Sequence, residues 1–139
     1  MPIINFTKED FDKSKPLPVG WYKAALQLFK TETNKKKDGL NQYFEFVVQS
    51  HDGRVVKAWI SDKSFNYAEQ LGKAYAALAQ VAYDPNGMAI DTDWLAEENT
   101  RGTALWIHLN VNTGANGIPG NTVDGFLSAE VEDPSSIPF

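Results

Sequence analysis

Cysteine is absent from this 139-residue chain and histidine occurs only twice. Disulfides and thiolate metal sites are therefore excluded, and the composition suits a reducing cytoplasm. Neither His51 nor His108 has a second histidine at ligand spacing, which argues against zinc or iron. No apolar run approaches the roughly 20 residues of a membrane-spanning helix. Met1-Pro2-Ile3-Ile4-Asn5-Phe6 is followed at once by charges, so no signal peptide or membrane partner is expected. The chain also lacks a Gly-x-Ser-x-Gly elbow and a phosphate-cradling glycine loop ending in lysine. Asp91-Thr92-Asp93 would suit a divalent-ion nuclease, but a helix-capping acid explains it more simply. A non-enzymatic protein without a cofactor is the expectation.

What is present is unevenly distributed charge. The net charge is −5, yet residues 20–63 carry eight bases against five acids. From residue 64 onward only Lys73 and Arg101 oppose ten acids. A basic first half before an acidic second half points to polyanion contact in one region.

Hydrophobic periodicity divides the chain into elements. Residues 1–18 read as an irregular arm ending in Lys15-Pro16-Leu17-Pro18. Residues 20–31 alternate as a strand with Tyr22, Ala24, Leu26 and Leu28 inward; a bulge would also turn Phe29 inward. A polar loop over 33–39 carries Lys35, Lys36 and Lys37. Strands over 41–50 and 55–61 flank His51-Asp52-Gly53-Arg54, a hairpin turn in which Asp-Gly supplies positive φ. Tyr67, Leu71, Ala74, Tyr75, Leu78 and Val81 set a helix over 65–83, which Asp84-Pro85-Asn86-Gly87 terminates. A shorter helix over 92–98 has Asp91 as its cap. Strands follow over 103–112, with Leu105, Ile107, Leu109 and Val111 inward, and over 122–128 after a glycine- and asparagine-rich loop.

Three strands, a helix and two strands is the order of an OB-fold, a five-stranded Greek-key barrel with a helix between strands 3 and 4. The expected fold is thus mainly β with α, as one domain over 1–128, followed by a flexible acidic tail over 129–139. The OB-fold face that binds oligonucleotides lies between the loops after strand 1 and before strand 5. Here those are the lysine loop and residues 113–121.

Inward alternation leaves Trp21, Lys23, Tyr43, Lys57, Trp59, Trp106 and His108 outward. Large aromatics among lysines on an open face need a cover. Single-stranded DNA would provide one, with bases stacked on rings for roughly 1–3 kcal/mol each and lysines following the phosphates. The candidate nucleic-acid contacts are therefore Trp21, Lys23, Lys30, Lys35, Lys36, Lys37, Tyr43, Arg54, Lys57, Trp59 and Trp106. Burial of Tyr43 and Trp106 in a homodimer interface is the competing reading.

The chain ends in Glu130-Val131-Glu132-Asp133-Pro134-Ser135-Ser136-Ile137-Pro138-Phe139, three acids and no base before an apolar tip. This ending resembles the C-terminal tip of bacterial single-stranded DNA-binding proteins. The resemblance implies that Asp133, Ile137, Pro138 and Phe139 recruit replication, recombination or repair proteins. Pro18-Val19-Gly20-Trp21-Tyr22, the lysine loop and Tyr43-Phe44-Glu45-Phe46 are similar to short phage proteins of replication modules. That similarity implies an OB-like barrel that binds single-stranded DNA in the host cytoplasm. The alternatives are a phage adaptor that binds only proteins and, more remotely, the divalent-metal nuclease.

Overall fold

The computed structural model describes residues 3–13, 15–33, 35–49, 53–113, 117 and 119–134. Its framework is one five-stranded antiparallel sheet with a few helices. The strands are β1 (Gly20–Thr33), β2 (Leu40–Val48), β3 (Arg54–Ser61), β4 (Ala104–Thr113) and β5 (Pro119–Ser128), in the spatial order β3-β2-β1-β4-β5. The arm is less irregular than its sequence suggests, because α1 (Lys8–Lys13) forms within it. A reciprocal cap starts that helix. The Asp10 carboxylate accepts from the Thr7 N–H at 2.8 Å, and the Thr7 hydroxyl accepts from the Asp10 N–H at 3.3 Å.

The inward residues of the sheet form the core. Ala24, Leu26, Phe44, Phe46, Val48, Leu105, Ile107 and Leu109 are almost wholly buried, and Phe126 closes the stack from β5. Gln27 is an extra residue in β1, since Leu26 pairs with Phe46 but Leu28 with Glu45. This bulge turns Phe29 inward, against Phe44 at 4.8 Å, and leaves Leu28 only half-buried. The expected inward place of Leu28 is thereby corrected. Val111 is corrected as well: it is exposed, because the β4–β5 ladder runs beyond the core. One inward polar residue, Gln42, is satisfied by the Thr31 hydroxyl at 2.6 Å and the Tyr67 hydroxyl at 3.0 Å.

α2 (Tyr67–Ala79) follows β3 and buries Leu71, Ala74, Ala77 and Leu78 against the sheet, mostly at β5. It ends four residues earlier than its apolar spacing suggests. Gln80 takes a left-handed conformation and its N–H bonds the Ala76 carbonyl, which stops the helix before Val81. The returning segment packs back on the helix at Gly72, where a Cβ would lie 3.1 Å from the Tyr83 ring. α3 (Thr92–Ala96) begins where expected, with the Asp91 carboxylate accepting from the Trp94 N–H at 3.0 Å. A single 3-10 turn over Glu98–Thr100 leads into β4.

The sheet curls until β3 and β5 approach each other, giving a barrel-like form that is open at this seam. The arm bridges the seam. Leu17 is buried in the core, its N–H and carbonyl both bonded to the Asn121 side chain at 2.8 Å. On the other side, the Arg54 guanidinium donates to the Lys15 carbonyl. None of the helices among the described residues is long and apolar enough to cross a membrane.

Candidate nucleic-acid interface

Pairing register aligns the outward side chains in rows across the sheet. The outward row nearest the lysine loop is Glu32, Asn41 and Ser61, and the row behind it is Lys30, Tyr43 and Trp59. The Tyr43 ring lies 4.2 Å from the Trp59 ring at 43°, and the Lys30 ammonium stands 5.1 Å from the Tyr43 centroid. Tyr43 is only 4% exposed whereas Trp59 is 54% exposed. Tyr43 is thus the floor beneath Trp59, and Trp59 is the ring that faces outward.

Glu45 holds this floor in place. The Tyr43 hydroxyl donates to its carboxylate at 2.5 Å, and the Gln27 amide donates to the other oxygen at 3.1 Å. Burial, reinforced by this carboxylate, pushes the Tyr43 hydroxyl up to about 12. The hydrogen bond from Tyr43 keeps the Glu45 carboxyl below its ordinary range, against the opposing effect of burial and with help from Gln27, Lys57 and Lys30. The next row brings Lys57 opposite Glu45 on the same face.

Lys35, Lys36 and Lys37 are exposed beside the end of β1, with Lys37 at φ 58°. A salt bridge of 3.3 Å from Lys63 to Asp38 ties this loop to the turn that follows β3. That turn carries Phe65, whose side chain is fully exposed. Sequence reading missed Phe65 by placing it at the start of the helix. The signal was there: Phe65 falls off the apolar stripe of Tyr67, Leu71, Ala74 and Leu78. Lys30, Lys57 and Trp59 share the outward face, and the lysine loop and Phe65 lie beyond its end, past Glu32, which pairs with Lys30 at 2.5 Å.

Trp21, Lys23 and Trp106 form a second group, paired across β1 and β4. The chain covers it with its own continuation. After β5, the Val131 carbonyl accepts from the Trp106 indole N–H at 2.7 Å, and the Ala129 carbonyl accepts from the Lys23 ammonium at 3.3 Å. Lys23 also stands 5.3 Å from the Trp106 ring centroid. Trp21 meets His108 edge-on at 5.0 Å, and His108 Nδ1 lies 2.7 Å from the Asp124 carboxylate. A second register shift, at Asp124, aims that carboxylate across the ladder. Trp21 also lines a cleft of about 540 Å³ between α2 and β5.

Arg54 belongs to neither group, since it sits at the β3–β5 seam beneath the arm. Asp133 is exposed, and the buried Pro134 is the last residue described before Ile137, Pro138 and Phe139, which lie outside the described residues. His51 and Asp52 of the expected turn lie outside them too, while Gly53 has the positive φ, 73°, that the turn requires. Among the described residues, no three His, Cys, Asp or Glu side chains are placed to share a metal ion. No protein-family model matches the chain, and the curated proteins contain no match to it.

Proposed function

We propose that this protein binds single-stranded DNA, largely without sequence preference and without catalysis. One observation carries the reading: a half-exposed Trp59 rests on a rigid Tyr43 floor, with Lys30 and Lys57 on the same face and the 35–37 lysines beyond its end. Aromatic faces accept any base, and lysines follow a backbone whatever its sequence. Phe65 adds a second open ring at the same end of the sheet. The element order, with α2 between β3 and β4 and the β3–β5 seam nearly closed, supports an OB-fold Greek-key barrel as the frame.

The protein would coat and protect strands during replication, recombination or repair in a phage-infected cell. The acidic segment ending in Ile137-Pro138-Phe139 would recruit partner proteins. Residues 129–131 already cover Lys23 and Trp106, so this segment shields one part of the outward face.

The test is tryptophan fluorescence during titration with oligo-dT at two salt concentrations, with duplex DNA as control. Quenching by the single strand alone, weakened as salt rises, is the expected result. No response to either nucleic acid would sink the proposal. The protein-adaptor reading has one observation in its favour: Ile3, Ile4 and Phe6 are 84%, 74% and 64% exposed on the arm. Under that reading, association would change little with salt.

A further inference from the structure

The seam between β3 and β5 combines three features that point to an anion. The first is charge: Lys15, Arg54 and Lys57 line one cleft of about 370 Å³. The second is backbone polarity. The Asp62 N–H bonds the Leu40 carbonyl, so this pair and every second pair toward the hairpin exchange backbone bonds. Arg54 and Val56 thus bond to β2, while the N–H groups of Val55 and Lys57 point to the open edge. No strand pairs with that edge among the described residues. The third is rigidity. Asn121, on the opposite wall, is held by two hydrogen bonds to Leu17, and Arg54 is oriented by its bond to the Lys15 carbonyl.

We infer that this seam is a phosphate-binding site. Edge amides and converging cations are the donor set that a phosphate accepts from. Under the strand-binding reading, on which this inference builds, the phosphate is a phosphodiester of the bound strand. Lys57 stands beside Trp59 on β3, so that group would lie next to a stacked base. Lys15 then becomes a binding residue that pattern reading left in the arm.

The test is an amide chemical-shift titration of the full chain with pyrophosphate, repeated on Lys15→Gln and on Lys15→Gln/Arg54→Gln. Saturable shifts at Val55, Lys57 and Gly120, weakened in the first variant and lost in the second, are expected. Lys15→Gln keeps the carbonyl that Arg54 bonds, so it remains informative if the double variant loosens the arm. With oligo-dT, Lys15→Gln/Arg54→Gln should lower the slope of log affinity against log salt by about 0.7, one phosphate's worth on a single strand. Oligo-dT binding with no seam shifts and an unchanged slope would overturn the site and leave the strand-binding reading standing. Seam shifts without any oligo-dT binding would uphold the site and overturn that reading. Shifts that spread along the β3 edge as protein concentration rises, without phosphate, would assign the edge to a second copy and overturn the site.

Discussion

Two groups of aromatics and lysines lie on the outward face of one sheet, and they differ in what covers them. Around Trp59, the nearest ring is a buried tyrosine below, and nothing described lies above. Around Trp106, the chain returns after β5 and its carbonyls take the indole N–H and the Lys23 ammonium. The residue types are the same in both places. The Trp106 indole has a single N–H, which the Val131 carbonyl already takes, so it gains little from a phosphate, whereas an open ring gains by being covered. The pattern that makes a binding surface at one end therefore makes a structural clasp at the other.

Trp59→Ala tests the open side and should give the largest effect. Affinity for oligo-dT should fall by about 1–3 kcal/mol, or roughly 5- to 150-fold, with the fold retained by circular dichroism. Equal affinity would break the comparison outright. Removing residues 130–139 tests the clasp. Uncovering Trp106, with Ala129 still in place beside Lys23, should tighten strand binding by up to about tenfold, worth about 1.4 kcal/mol, and increase the tryptophan quench. An unchanged quench would mean that the second group takes no part even when open. Trp106→Phe should cost about 0.5–1.5 kcal/mol of stability through the lost bond to Val131, read by urea denaturation. Its strand affinity should stay within about twofold; a drop as large as that of Trp59→Ala would reverse the two roles.

The smallest effect concerns pH. Glu45 titrates below its ordinary value of 4.5 in the folded protein, so the stability it contributes is present above that value. That contribution is lost as pH falls through the lowered folded value. Tyr43 is raised from 10.0 to about 12, so its contribution is complete below pH 10 and lost as pH rises through 12. Glu45→Gln should flatten the acid side of the denaturation profile. An identical acid limb in wild type and variant would remove Glu45 as the anchor of the Tyr43 floor.

Much of this is legible in the residue pattern. Alternation identified Phe44, Phe46, Leu105, Ile107 and Leu109 as core because a strand shows each face every second residue. The end of α2 was not legible, since Val81 keeps the apolar period while Gln80 breaks the backbone beneath it. Phe65 was hidden for a related reason: a helical period extended two residues too far absorbs a residue that belongs to a turn.

The sequence alone determined the five-strand order, the helix between the third and fourth strands and the position of the lysine loop, because periodicity and turn chemistry act locally. It also determined which residues face outward on β2 and β3, where alternation runs unbroken. Only the tertiary structure decided which outward aromatics stay open. That depends on the bulge at Gln27, on the arm that bridges β3 and β5, and on residues 129–131 folding back over Trp106. Each brings together residues far apart in the chain, Leu17 with Asn121 and Trp106 with Val131. Local pattern carries no information about such contacts, because they are set by how the curled sheet closes on itself.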